Sequence, residues 1–339
     1  MTWGRALRRA GRRTNAALFV LCVGAFLSGW LAFAVDTPAS TTLTTVAHGL
    51  FGLGVVAVAP WKAMIVTRSK RIPLPAWGLI GLTLVCLAAG LGQLLLGYHT
   101  VAPLGLLELS PIQVHVGAAL VAVPLFAGHV RRRRPQQLKR ADLSRRKLLR
   151  TGAFTLTTGV GYLALLGVAG WTRGSAGRVA TGSSRIAAAD MPATIWLLDR
   201  VPSLAGDHRV RVGDRTVTMT ELDGIGQDVA ARLDCTSGWY AEATWTGVPL
   251  SELLPAAALA GARSIEVQSV TGYTRHFPVT AASSLWLATR CEHRPLTTGA
   301  GAPVRLVAPG HRGFWWVKWV ASVGLSAQPA ALQSPFPLQ

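Results

Sequence analysis

Along the first half of the chain apolar residues form five long runs, whereas in the second half they alternate with polar residues over short stretches. The runs 16–35, 45–66, 77–96, 112–130 and 152–171 each approach the roughly 20 residues a helix needs to cross a bilayer's hydrocarbon core. From about residue 190 the period falls to two. The segments 194–198, 208–212, 216–220, 230–234, 264–270, 303–307 and 316–324 read as strands, Gly213-Asp214 as a hairpin turn, and 249–254 with 256–260 as one helix. The expected architecture is multi-domain: an all-α transmembrane part of four helices plus a fifth anchoring helix, followed by an α+β mixed-sheet domain. Its divisions are 1–135 for the four-helix part, 136–172 for a basic segment and the fifth helix, 173–189 for a tether, 190–328 for the mixed-sheet domain and 329–339 for a tail.

Charge refines this picture. The net charge is +19, and 19 of the 34 Lys and Arg lie in residues 1–150, against the three acids Asp36, Glu108 and Asp142. These bases flank apolar runs instead of lining a soluble face, which argues against nucleic acid as a partner. Segments 5–13, 68–71 and 131–150 are basic, while the loops 36–44 and 99–111 carry no Lys or Arg. The positive-inside rule then puts the N-terminus in the cytoplasm and residues 173–339 outside it, in a multi-pass protein of the cell membrane. The first run is not expected to be a cleaved signal, because it is long, lacks a small-residue cleavage site and is followed by further spans.

Ahead of the fifth run stands Ser144-Arg145-Arg146-Lys147-Leu148-Leu149-Arg150, which resembles a twin-arginine export signal. The resemblance implies the twin-arginine export machinery as a partner and an already folded domain behind the signal. A plain basic stop for the helix is the other reading.

Histidines inside a span are expensive and point to function. His48 and His115 each lie about one turn in from the outer end of parallel spans, so both imidazoles reach one depth. That suits two axial ligands of one haem b, with Gly49, Gly52 and Gly117 nearby to admit a flat ring. Interfacial histidines bonded to head groups are the alternative, and His129, beside Arg131, fits that description. Lys62 occupies the place a second haem would need, so one haem is expected and not two. His99 is a substitute ligand or a neighbour of a quinone head group.

Cys22 and Cys86 fall in spans. Cys235, at the end of segment 230–234, is open to several readings: core filler, half of a disulfide with Cys291, nucleophile, or metal ligand. Its surroundings carry more information. Arg232-Leu233-Asp234-Cys235, Gly238-Trp239 and Trp245-Thr246-Gly247-Val248-Pro249-Leu250 resemble the metal-ligand segment of the sulfite oxidase family of molybdopterin enzymes. Gly301-Ala302-Pro303-Val304-Arg305-Leu306-Val307-Ala308-Pro309, with Gly313 and Val317-Lys318-Trp319, resembles that family's cofactor-clamping segment.

The resemblance covers 190–328 and implies Mo-molybdopterin as cofactor and Cys235 as the molybdenum ligand. Arg305, with Lys318 and the backbone of Trp316 and Val317, would hold the pterin phosphate. Ser269 stands where the bacterial methionine-sulfoxide reductase branch has a hydroxyl at the cofactor. A soft thiolate suits such a metal, and a guanidinium fork suits a phosphate. Two departures stand out. Ala300 and Gly301 occupy the place of that branch's asparagine, and the dimerisation domain of the larger sulfite oxidases is not expected after Val320.

The implied activity is oxygen-atom transfer on a small-molecule substrate, with electrons passed through the membrane haem to quinone or another membrane carrier. Arg275, His276, His311 and Arg312 are expected at a basic mouth for an anion. Methionine-sulfoxide reduction and a metal-free anchored binding module are the alternatives.

Overall fold

The structure, a computed structural model, describes residues 11–34, 38–68, 72–100, 109–133, 145–173, 177, 179, 181–194, 201–204 and 207–334. The chain divides into two compact units, Met1–Phe33 with Ala39–Ser184, and Ala34–Pro38 with Arg185–Gln339.

The first unit is helical. It contains α1 (Arg12–Ala34), α2 (Pro38–Thr67), α3 (Leu74–Leu96), α4 (Pro111–Arg133) and α5 (Arg145–Arg173), which coincide with the five apolar runs. All five are long and apolar enough to cross a membrane. Val20, Leu84, Leu163 and Trp171 point outward, as a lipid-facing surface requires. A capping box starts α4: the Ser110 N–H donates to Gln113 Oε1 at 2.8 Å and the Gln113 N–H to Ser110 Oγ at 3.3 Å, with Pro111 in the first turn. Lys62 Nζ donates to Asn15 Oδ1 at 3.0 Å, which gives the charge in α2 a polar partner on α1. Of the twin-arginine stretch, Ser144 lies outside the described residues and Arg145–Arg150 form the first turns of α5.

The second unit is the mixed-sheet domain. Its strands are β1 (Ser184–Arg185), β2 (Arg209–Val212), β3 (Arg215–Thr218), β4 (Gln227–Asp234), β5 (Trp239–Pro249), β6 (Ser264–Ser269), β7 (Thr274–Phe277), β8 (Trp286–Cys291), β9 (Arg294–Pro295), β10 (Arg305–Val307) and β11 (Val320–Ser326). One sheet runs β1-β5-β8-β10, with β4 on β5 and β9 on β8; the other runs β3-β2-β11-β6-β7. The pairing of β11 with β2 is parallel and that with β6 antiparallel, so the second sheet is mixed as expected. Trp245, Leu287, Leu306 and Trp316 are buried from the first sheet and its loops, and Ile265 and Phe277 from the second.

Several boundaries differ from the pattern-based expectation for identifiable reasons. The strand expected at 216–220 stops at Thr218, because Thr218 and Glu221 form a reciprocal capping box that opens α6 (Met219–Gly224). The helix expected over 249–260 is two pieces, α7 (Leu250–Leu253) and α8 (Ala256–Ala260). Pro255 disfavours helical dihedrals at Leu254, which sits at φ −106°, ψ 128°. The strand expected from Trp316 begins only at Val320, because Trp319 takes φ +53° and turns the chain. The tail expected from 329 is packed on β7 through Ser334. Gln333 Oε1 accepts from the His276 N–H at 3.0 Å and its Nε2 donates to the His276 carbonyl at 2.6 Å, as a neighbouring strand would. Of the strand expected at 194–198, residues 195–198 lie outside the described set.

The longest strand, β5, was read from the pattern only as part of a motif. It changes register against β8 between Thr246 and Gly247, where the backbones press together. A Cβ on Gly247 would lie 2.4 Å from Leu287 O and 2.6 Å from Ala288 Cα. Gly247→Ala is therefore expected to cost about 1–3 kcal/mol by overpacking. Gly324→Ala in β11 meets nothing within 4 Å and is expected to change little. Thermal unfolding of the detergent-solubilised protein, followed by tryptophan fluorescence, should show a lower midpoint for the first variant alone, and equal midpoints would contradict the packing.

Candidate functional site

Cys235 follows the last residue of β4 and is buried. The β4–β5 connection holds it in a tight turn. The Gly238 N–H donates to the Cys235 carbonyl at 3.1 Å, the Cys235 N–H donates to the Trp239 carbonyl at 2.8 Å, and Gly238 supplies φ +94°. Across the turn Asp234 bridges Arg312 in parallel register. A Cβ on Gly313 would fall 2.9 Å from Cys235 Cα, so only a glycine lets the second motif segment lie against this cysteine. The two segments singled out in the sequence thus meet at residue 235. Ser237 Oγ lies 3.0 Å from Cys235 Sγ and 3.2 Å from Thr194 Oγ1. All four cysteines, Cys235 and Cys291 among them, are free in this structure.

Arg305 enters from β10 and is 1% exposed. Its Nη1 donates to Ala300 O at 2.7 Å and its Nη2 to Trp316 O at 3.2 Å, and its guanidinium lies 5.1 and 5.3 Å from the ring centres of Trp245 and Trp316. No carboxylate among the described residues pairs with it, and Nε has no acceptor. Burial pulls its pKa down to about 10, against the opposing pull of Cys235 and Cys291, and it stays charged at neutral pH.

Lys318 bridges Arg305 in antiparallel register, and its Nζ donates to Thr194 O at 3.0 Å. Burial, and then the Arg305 charge beside it, lower its pKa to about 8, while Cys235 pulls the other way. Gly301, at φ +101°, packs against both cations: a Cβ there would lie 3.0 Å from Lys318 Cγ and 3.3 Å from Arg305 Cβ. Two cations without an acid between them make this interior electropositive.

The remaining expected site residues are placed as follows. Ser269 is buried where β6 turns into β7, and its Oγ accepts from the Thr271 N–H at 3.2 Å and Thr271 Oγ1 at 3.1 Å. It pairs in register with Val320, two residues after Lys318. The N–H groups of Trp316 and Val317 donate to Gly313 O and Trp315 O, each at 3.1 Å, so both donors are engaged within the chain.

The expected basic mouth takes a different form. Arg275 and His276 lie in β7 and are buried. Arg275 sits about 5 Å from the ring centres of Tyr273, Phe314 and Trp315 and donates from Nε to Tyr273 Oη at 2.6 Å. Tyr273, its pKa pushed up to about 12 by burial, stays protonated and donates to Phe314 O at 2.6 Å. His276 Nε2 is 3.6 Å from Glu266 Oε2. This cluster holds β7 to the 314–315 loop; the i, i+2, i+4 spacing that puts Tyr273, Arg275 and Phe277 on one strand face was the overlooked signal.

The orphan buried side-chain atoms provide a test of fit for a cofactor. Trp239 Nε1, Arg305 Nε, Trp315 Nε1 and Trp319 Nε1 are buried without an acceptor among the described residues. All four are donors; Trp239, Arg305 and Trp319 belong to the two segments that meet at Cys235, and Trp315 stands with Arg275 beside β7. A buried donor left unsatisfied costs about 1–3 kcal/mol. A ligand rich in acceptor atoms and negative charge would satisfy them, whereas a cationic or purely apolar one would not. The thiol, the two cations and the donors therefore fit a metal-bearing pterin phosphate.

In the helical unit, α2 and α4 bring His48 and His115 together, with Nε2 atoms 3.3 Å apart. His48 Nδ1 is 2.8 Å from Ala25 O, and His115 Nδ1 is 2.7 Å from Cys86 O. A carbonyl can only accept, so each Nδ1 carries a proton and the two Nε2 atoms face one another. The two imidazoles thus meet from α2 and α4 with the ring nitrogens that a shared haem iron would need. The glycines that accommodate these rings are not the expected ones. A Cβ on Gly29 would lie 2.8 Å from His48 Cε1, and one on Gly90 would lie 2.9 Å from His115 Nδ1. Gly49 faces Tyr162, and Gly52 and Gly117 have open space.

Fold and site together define the second unit as a cofactor-binding oxidoreductase domain. The family model for the oxidoreductase molybdopterin binding domain matches residues 200–333. This part of the chain is a molybdopterin-binding domain of the sulfite oxidase family, joined to a helical part with five apolar helices. Among solved structures the chain is similar to the sulfane dehydrogenase SoxCD from Paracoccus pantotrophus, at 24% identity and a TM-score of 0.34, over 38% of this chain and 40% of that chain. The match thus spans less than half of that protein's chain. No curated protein matches the chain.

Cys291, in β8, tests the electrostatics of the interior. Burial and then Glu292 push its pKa up to about 11, although Arg305 opposes them. A raised thiol pKa keeps the unreactive protonated form, so at pH 7.5 Cys291 should hold about 100-fold less thiolate than an ordinary cysteine. Maleimide labelling of the folded protein, mapped by peptide mass, should still climb about tenfold per pH unit beyond pH 9. A plateau near pH 8.5 would contradict the shift.

Proposed function

We propose that the chain is a membrane-anchored, molybdopterin-dependent oxidoreductase that transfers an oxygen atom to or from a small substrate outside the cytoplasm. A membrane haem b, held by the helical part, would supply the electron exchange with quinone or another membrane carrier. Bound molybdenum would supply two-electron oxygen-atom chemistry, and bound haem one-electron transfer. The observation that carries the reading is that Arg305, buried beside Lys318 without a carboxylate partner among the described residues, belongs to the segment that lies against Cys235.

Within that reading the chain's own groups divide the work. Cys235 Sγ ligates the molybdenum, and the turn closed by Gly238 fixes its direction. Arg305 and Lys318 hold the pterin phosphate, Arg305 as a charge at any physiological pH and Lys318 as a charge that an anion beside it would reinforce. Ser269 offers a hydroxyl near the Lys318 end, and Trp316 and Val317 shape the backbone between the two cations. His48 and His115 would hold the haem iron through their Nε2 atoms, with the Nδ1 protons directed to Ala25 O and Cys86 O. The basic segments put the N-terminus in the cytoplasm and the molybdopterin domain outside the cell membrane, exported through the twin-arginine machinery.

Purified detergent-solubilised protein should contain about one molybdenum per chain, held by one pterin, and show the sharp reduced bands of a bis-histidine haem. His115→Ala should remove the bands and leave the molybdenum. Protein with molybdenum but no haem bands would sink the electron route, and protein without molybdenum would sink the enzymatic reading.

A further inference from the structure

We propose that Ser237 is a positioning residue for the metal-ligating sulfur, its hydroxyl donating to Cys235 Sγ and itself receiving a hydrogen bond from Thr194. The inference rests on the reading of Cys235 as the molybdenum ligand and goes beyond it by assigning what tunes that ligand.

Ser237 is buried and sits two residues past Cys235 in the turn that Gly238 closes, so the backbone returns its hydroxyl to the sulfur, 3.0 Å away. Its other neighbour is Thr194 Oγ1 at 3.2 Å. A hydroxyl has one proton to give and lone pairs to receive. A neutral thiol permits the string to run either way. A thiolate permits one direction only: Thr194 Oγ1–H to Ser237 Oγ, and Ser237 Oγ–H to sulfur. Ligation of a metal therefore fixes both hydroxyls as donors toward Cys235.

The far end of the string is built, not incidental. The Thr194 carbonyl accepts from Lys318 Nζ at 3.0 Å. The segment before it is pressed onto Gly299, where a Cβ would lie 2.5 Å from Met191 O and 3.0 Å from Ala193 N. Thr194 thus links the sulfur, through Ser237, to the cation at the other end of the site. Hydrogen bonds to a ligating sulfur draw electron density from it and raise the potential of the metal it serves.

The test uses the full-length cofactor-loaded protein and measures metal content together with the molybdenum midpoint potential by EPR-monitored redox titration. Ser237→Ala should shift the midpoint to lower potential and reduce kcat with KM unchanged. Ser237→Thr, which keeps a hydroxyl, should restore it, and Thr194→Val should shift it the same way by a smaller amount. If Ser237→Ala loads metal poorly, recovery of loading in Ser237→Thr supports the role and failure to recover overturns it. A Ser237→Ala protein with full metal and a wild-type midpoint would overturn the inference alone. Wild-type protein without molybdenum would overturn it together with the reading of Cys235.

Discussion

Arg305 carries a positive charge into the interior of the sheet unit, where it meets two indole faces and two carbonyls and, among the described residues, no carboxylate. Such burial is unfavourable, and a folded chain retains it only where something else compensates. Lys318 is a second cation beside it, and Trp239 and Trp319 of the same two segments are donors without acceptors among the described residues. The interior is thus short of negative charge and of acceptors, on the side where Cys235 emerges from β4. An anionic, acceptor-rich cofactor corrects both deficits, and the surrounding architecture serves to keep them in place. The β4–β5 turn aims the sulfur, Gly313 lets the second segment lie against it, and Gly301 lets the two cations sit together.

In the helical unit the ordering is done by backbone carbonyls. Ala25 O and Cys86 O each hold an Nδ1, so that the Nε2 atoms of His48 and His115 face one another. Gly29 and Gly90 remove the side chains that would push the rings out of this arrangement.

The sequence made the helical runs legible because span length and lipid exposure are properties of consecutive residues, and the shared depth of His48 and His115 followed from counting turns. The carbonyls of Ala25 and Cys86 and the glycines at 29 and 90 were not legible, since they lie on other helices and act through packing. In the sheet unit, Cys235, Arg305 and Lys318 were found through motif resemblance, and their meeting place required the fold. Ser237 and Thr194 passed unnoticed because a hydroxyl 43 positions away carries no local signal. Trp316–Trp319 looked like strand by composition, but the positive φ of Trp319 makes it the loop that brings Lys318 beside Arg305. Arg275 was expected at a basic mouth, yet its place on one strand face with Tyr273 and Phe277 turns it inward onto aromatic rings.

The central claim is that the sulfur of Cys235 is bonded to molybdenum. Molybdenum K-edge X-ray absorption on the purified protein measures this directly, by counting the sulfur neighbours of the metal. The account predicts one more sulfur in the wild type than in Cys235→Ser at equal metal content. The same sulfur count in both proteins would contradict it.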